Sequence, residues 1–233
     1  MNKKIFKRRV IIALDNPSIE ESKKLISKID EKILFYKVGL GSFTKYGYEL
    51  VKYLIQKKKE IFLDLKLYDI DNTISTAVKS FSDQNISFLT VNGDPKIINA
   101  AVKAKTNDKL KIIAVTFLTN LDRKDLNNNL IKKGNLEDLV KERAKIAFDY
   151  GADGVVASAK ELTVLKSMSK YQKKIIITPG IRPFGTKNND QKRVCTPTEA
   201  IQKGSDHIVI GRPVWQSKNP EKVVDEIFKE ISK

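Results

Sequence analysis

The sequence is poor in the residues that most metal and redox chemistry uses. Its 233 residues include one cysteine, Cys195, and one histidine, His207. A single cysteine excludes an internal disulfide and any cysteine-rich metal cage. No run of about 18 apolar residues exists, so no segment reads as a membrane-spanning helix. The start, 1–9, is basic, but the apolar stretch behind it is short, ends at Asp15 and has no small-residue cleavage site. It does not read as a signal peptide. Together these absences point to the cytoplasm.

Charge of one sign is scarce by comparison with the other. Lysine and arginine number 44 against 28 acidic residues, a formal net charge of +16. Such a balance invites a nucleic-acid reading. The lysines, however, are scattered along the chain, as in Lys57-Lys58-Lys59 or Lys173-Lys174. No zinc-ligand spacing, heptad-bearing basic helix or aromatic RNA-binding motif accompanies them. The excess therefore reads as a solvated surface, with neither nucleic acid nor membrane as partner. Its field still favours anionic small substrates.

What the chain does have is a repeated pattern. Short apolar runs occupy 10–14, 33–38, 61–65, 88–91, 112–117, 154–157, 175–178 and 207–210. Between several of them lie stretches of helical periodicity, at 19–29, 43–57, 97–105, 136–150 and 221–231. Short β-rich runs alternating with helices imply parallel strands joined by right-handed crossovers. Eight such units in this length predict a single (β/α)8 barrel, an α/β fold, spanning 1–233 as one catalytic domain. Two connections, 119–135 and 182–193, are long and polar, and both follow strand ends where a barrel places its active site.

The densest chemical signal is Asp64-Leu65-Lys66-Leu67-Tyr68-Asp69. Alternation on a strand sends Asp64 and Lys66 to one face and Leu63 and Leu65 to the other. Asp69 falls just beyond, on the rim. An ordinary ion pair is the plainer reading, but an inward pair at a strand end is costly without further partners. Asp15 ends the first strand and Lys37 nearly ends the second, so the partners exist. Singly, Asp15 could cap a helix starting near Pro17, and Lys37 could lie on the surface. Arg182 and Arg212 fall at the ends of the seventh and eighth strands, where barrels commonly hold phosphate and where a planar guanidinium fork suits its oxygens. His207 stands at the opposite end of its strand and reads as structural.

Asp64-x-Lys66-x-x-Asp69, with Ile70 and Asn72-Thr73 after it, resembles the central motif of the orotidine 5'-monophosphate decarboxylases, bacterial type. The resemblance continues in Ala13-Leu14-Asp15, Lys37-Val38-Gly39, Val115-Thr116-Phe117-Leu118-Thr119 and Asp153-Gly154-Val155-Val156-Ala157-Ser158. It extends through Thr178-Pro179-Gly180-Ile181-Arg182-Pro183, Asp190-Gln191-Lys192-Arg193 and Val209-Ile210-Gly211-Arg212-Pro213. In order, these cover about nine-tenths of the chain.

The resemblance implies a carbon–carbon lyase that makes uridine 5'-monophosphate with no metal or organic cofactor. It implies that Lys66 protonates C6, Asp64 faces the substrate carboxylate, Lys37 orients Asp64 and reaches the ribose, and Asp15 holds a ribose hydroxyl. Thr119 would contact the pyrimidine, while Arg182, Gln191, Gly211 and Arg212 would bind phosphate under the 182–193 loop. It further implies a homodimer in which Asp69 and Thr73 reach the neighbouring site. Asp71 stands where bacterial members often have Pro, and implies a looser turn. Val91-Asn92-Gly93-Asp94 replaces the family's usual His and Gly-Gly stretch.

The nearest alternative on the same barrel is a magnesium-dependent sugar-phosphate decarboxylase or hexulose-phosphate synthase. Those enzymes share the Asp-x-Lys-x-x-Asp pattern but carry a metal-binding Glu at the end of strand two, where Lys37 would repel magnesium. A non-catalytic basic barrel leaves the strand-end charges unexplained.

Overall fold

A computed structural model describes residues 7–183 and 195–232. Eight parallel strands close into a barrel in sequence order. They are β1 (Val10–Ala13), β2 (Phe35–Gly39), β3 (Glu60–Leu67), β4 (Phe88–Asn92), β5 (Lys111–Val115), β6 (Gly154–Val156), β7 (Ile175–Thr178) and β8 (His207–Ile210). The expected (β/α)8 architecture is thus present. Among the described residues no helix is long and apolar enough to cross a membrane.

Helices on the outside connect the strands. α1 (Ile19–Lys28) follows β1, and α2 (Leu40–Tyr46) and α3 (Tyr48–Gln56) follow β2. α4 (Asp71–Ser82), α5 (Pro95–Ala104) and the pair α6 (Arg123–Asn128) and α7 (Leu136–Asp149) come after β3, β4 and β5. α8 (Leu162–Lys166) follows β6, α9 (Pro197–Gln202) precedes β8, and α10 (Arg212–Trp215) and α11 (Pro220–Ile231) complete the ring. Side-chain caps set many of the starts. Ser18, not Asp15, caps α1 by accepting from the Glu21 N–H at 3.1 Å. Asp94 caps α5 ahead of Pro95, whose missing N–H would have had no intrahelical partner.

Several boundaries differ from the sequence expectation. The helix expected over 43–57 is two helices, because Gly47 adopts φ +53 and ends α2. Strand two starts at Phe35 and not at 33, since the Ile33 N–H is taken by the Ile29 carbonyl at 3.1 Å. The polar 119–135 connection contains α6, nucleated by a reciprocal capping box between Asp122 and Asp125. The turn expected to loosen at Asp71 is instead the first turn of α4, where an acidic residue suits the helix dipole.

The core has two layers, as strand alternation requires. Ile12, Leu14, Tyr36, Val38 and Leu63 face outward against the helices. Ile11, Ala13, Phe35, Phe62, Phe88, Ile113, Val115, Val156, Ile177 and Val209 fill the barrel. At its floor Phe35 and Phe88 lie 4.8 Å apart between ring centroids, and the His207 ring meets both edge-on. His207 Nδ1 lies 2.9 Å from the Arg8 carbonyl. The histidine therefore plugs the end opposite the candidate site. The same inward period, continued upward, runs from Ala13 to Asp15, from Phe35 to Lys37 and from Phe62 to Asp64. The apolar filling stops and charge begins at the C-terminal mouth.

Candidate active site

Four charged side chains alternate in sign across the ends of β1, β2 and β3. Lys37 Nζ lies 3.4 Å from Asp15 Oδ1 and 3.6 Å from Asp64 Oδ2. Lys66 Nζ lies 2.8 Å from Asp64 Oδ1. Lys37 and Asp64 are nearly enclosed, while Asp15 and Lys66 reach toward solvent. Glycine at 39 makes room for this arrangement. A Cβ there would sit 2.6 Å from Lys37 Nζ and 3.2 Å from Asp15 Oδ1.

Burial alone would push the Asp64 carboxyl up, because the interior disfavours its charged form. The Lys37 and Lys66 ammoniums outweigh that effect, helped by hydrogen bonds from Lys66 and Thr90, and hold the group below the usual carboxylate range. Asp64 is thus an anion throughout the neutral range. The backbone beneath it is irregular: Leu63 pairs with Leu89 and Leu67 with Val91, with a register shift between. Lys66 itself has φ +51, a left-handed conformation uncommon for a non-glycine residue.

The array forms one side of a cavity of about 320 Å³. Phe62, Val115, Phe117, Val156, Ile177 and Val209 supply its apolar lining, and Arg182, Arg212, Gly180 and Gly211 border it on the β7–β8 side. Arginines on one side and apolar walls between them and the array suit a ligand with an anionic end and a less polar middle. Its reacting end would lie at the lysine–carboxylate array. Larger depressions of about 580 and 730 Å³ lie elsewhere on the described surface, but the charges that line them are mostly acidic and contain no arginine, which does not suit an anionic ligand.

Of the residues expected at the site, Asp15, Lys37, Asp64, Lys66, Thr119, Arg182, Gly211 and Arg212 all line this cavity. Arg182 is buried, with Nη1 donating to the Ile181 carbonyl at 3.0 Å. Asp69 and Thr73 do not line it. Asp69 is exposed and accepts from its neighbour's N–H, Ile70, at 2.7 Å, and Thr73 is exposed in the first turn of α4. Gln191 lies outside the described residues. Ser158 is fully buried, its N–H donating to Glu161 at 2.7 Å.

Two contributors were not singled out from the sequence. Thr90, fully buried on β4, donates to Asp64 Oδ1 at 3.1 Å and accepts from the Lys66 N–H at 2.9 Å. Its signal was the inward period of β4, Phe88 then Thr90, hidden inside an apolar run. Arg143, on α7, stacks 4.5 Å over the Phe117 ring and donates to the Thr116 carbonyl at 2.7 Å. It braces the segment that ends in Thr119, and nothing in local sequence links it to that segment.

Comparison with known proteins gives a consistent family. A model described as the Orotidine 5'-phosphate decarboxylase / HUMPS family matches residues 8–227. An orotidine 5'-phosphate decarboxylase of Jannaschia sp. (strain CCS1) is 44% identical over 224 residues, 96% of this chain and 98% of that protein. The one from Cereibacter sphaeroides is 45% identical over 213 residues, 91% of this chain and 92% of that one. The crystal structure of orotidine 5'-phosphate decarboxylase from Lactobacillus acidophilus superposes with a TM-score of 0.82 at 32% identity, covering 96% of this chain and 99% of that chain.

Proposed function

The chain belongs to the Orotidine 5'-phosphate decarboxylase / HUMPS family and decarboxylates orotidine 5'-monophosphate, and we propose that it does so without a metal, with Lys66 as proton donor. The reaction serves pyrimidine biosynthesis and makes the protein a carbon–carbon lyase. One observation carries the mechanistic reading. Lys66 Nζ pairs with Asp64 Oδ1 at 2.8 Å on the wall of the cavity that Arg182 and Arg212 also line.

Breaking the bond between C6 and its carboxylate leaves the electron pair at C6 and releases CO2. No carbonyl adjacent to C6 can take up that charge. The Lys66 ammonium beside C6 stabilises the developing anion and then gives it a proton, which Lys66 regains from solvent. Asp64 faces the departing carboxylate, and repulsion between the two anions favours its loss. Lys37 fixes Asp64 and reaches the ribose, Asp15 holds a ribose hydroxyl, and Thr119 meets the pyrimidine. Arg182, Gln191, Gly211 and Arg212 take the phosphate. Their binding energy, remote from the bond broken, positions the base.

The donor set supports a metal-free site. Lys37 lies between Asp15 and Asp64, so a fixed cation already occupies the place where a divalent ion would need both carboxylates. We further propose a cytoplasmic homodimer, the single catalytic domain of each chain lending Asp69 and Thr73 to its partner. Tyr68 and Ile70, 70% and 72% exposed on either side of Asp69, support this, since large apolar side chains grouped on a rim suit a covered surface.

The test follows orotidine 5'-monophosphate by ultraviolet absorbance, with chelator present, for wild type and Lys66→Ala. Turnover in chelator that Lys66→Ala abolishes is expected. A folded wild type with no turnover would refute the activity. Turnover restored only by magnesium would refute the metal-free mechanism.

A further inference from the structure

We infer that Thr90 is a positioning residue for the decarboxylation, holding Lys66 and Asp64 at their working separation through one hydroxyl. The inference rests on the assignment of Lys66 and Asp64 above and adds the element that sets their geometry.

The argument starts from the β3–β4 ladder. Leu63 pairs with Leu89 and Leu67 with Val91, so Asp64, Leu65 and Lys66 together stand opposite Thr90 alone. A regular strand would place one residue there. The surplus makes a bulge, and bulges re-aim side chains at barrel rims. Within it Lys66 takes φ +51, and a lysine keeps that conformation only where its surroundings impose it.

Thr90 supplies the surroundings. Its Oγ1 accepts from the Lys66 N–H at 2.9 Å, in place of the backbone carbonyl that an undisturbed ladder would offer. The hydroxyl's single proton is then directed to Asp64 Oδ1 at 3.1 Å. Asp64 Oδ1 also accepts from Lys66 Nζ at 2.8 Å. The bonds close a ring from the Lys66 backbone through Thr90 and Asp64 to the Lys66 ammonium. Thr90 is fully buried, so no water can readily replace its hydroxyl. Val matches its shape but can neither accept from Lys66 nor donate to Asp64.

The hydroxyl also acts on charge. Asp64 is faced by Lys37 from β2, Lys66 from its own strand and Thr90 from β4, with Asp15 beyond Lys37. The Thr90 bond is one of the contributions that favour the ionised form. Removing it moves the Asp64 pKa upward, and the acid limb of the rate profile moves to higher pH with it.

The experiment compares wild type, Thr90→Val and Thr90→Ser in steady-state decarboxylation of orotidine 5'-monophosphate across pH, with melting temperature as the check on folding. Thr90→Val is expected to lower kcat on the order of 10- to 100-fold, the effect of losing a hydrogen bond to a charged group. KM should stay within a few-fold, because the phosphate contacts lie across the cavity, and the acid limb should rise. Thr90→Ser should recover most of kcat and the wild-type limb. If Thr90→Val does not fold, Thr90→Cys, of similar size and a weak hydrogen bonder, takes its place with the same expectations. A folded Val or Cys variant with wild-type kcat and pH profile overturns the inference, as does equal impairment of the Ser variant. A wild type inactive on this substrate refutes the reaction and the inference with it.

Discussion

Gly39→Ala is expected to reduce turnover while leaving the fold intact. Residue 39 has φ −85 and ψ 171, extended backbone that alanine adopts without strain. The added Cβ would lie 2.6 Å from Lys37 Nζ, roughly 1 Å inside an ordinary contact. The tip of a lysine is the part most easily displaced, so the ammonium moves and the barrel does not. Gly39 sits beside Asp64 in the β2–β3 register, so a cation pushed off residue 39 is pushed off Asp64 as well.

Lengthening the Lys37–Asp64 separation from 3.6 Å by about 1 Å weakens the pair by about 1 kcal/mol at an effective dielectric near 20. The Asp15 contact adds less, since Asp15 is half exposed and screened by solvent. The sum corresponds to roughly a five- to tenfold loss in kcat/KM. On stability, reduced freedom of the unfolded chain favours alanine by about 0.4–1 kcal/mol. Loss of a tolerated N-cap residue ahead of α2 opposes it by a similar amount. The melting temperature should therefore stay within about 2 °C of wild type. Steady-state absorbance kinetics and a thermal melt read the two effects separately. Wild-type kcat/KM in the variant would refute the idea that the missing Cβ seats Lys37. A melting temperature lower by more than about 5 °C would place the clash in the backbone.

Two further outcomes follow from groups on opposite faces of the barrel. Burial at the floor lowers the His207 pKa, only partly offset by its bond to the Arg8 carbonyl, so the folded state holds the ring neutral while the unfolded chain protonates near pH 6.5. Stability attributable to this group is complete above that pH and is lost as pH falls toward the folded pKa, by at most about 1.4 kcal/mol per unit. The urea midpoint of His207→Gln should thus fall less than that of wild type between pH 7.5 and 5, and parallel curves would refute the assignment. At the rim, mixing inactive Lys66→Ala with inactive Asp69→Ala should restore about a quarter of wild-type activity, since random pairing makes half the dimers mixed and each holds one intact site. A mixture no more active than its parents would show that Asp69 does not serve a partner.

The barrel was legible because its signal repeats. Eight apolar runs, each alternating between an inner and an outer layer, leave little freedom in topology, and the inward period carries directly to Asp15, Lys37 and Asp64. The Asp122–Asp125 capping box that starts α6 was also present in the sequence and could have been read within the polar connection. The bulge in β3 is a different matter. Asp64, Leu65 and Lys66 alternate polar, apolar, polar as a regular strand would, and no glycine marks the left-handed residue. The faces come out right while the backbone that sets them stays hidden. What reveals it is the partner strand, through a threonine that local pattern assigns to the core. Local periodicity reports which way a side chain points; the hydrogen bonds that fix its distance from a neighbour belong to residues 24 and 26 positions away. The mouth of this barrel therefore shows its chemistry in sequence and its precision only in three dimensions. Substitution at Thr90, which touches no substrate in the proposed mechanism, is the most direct way to separate the two.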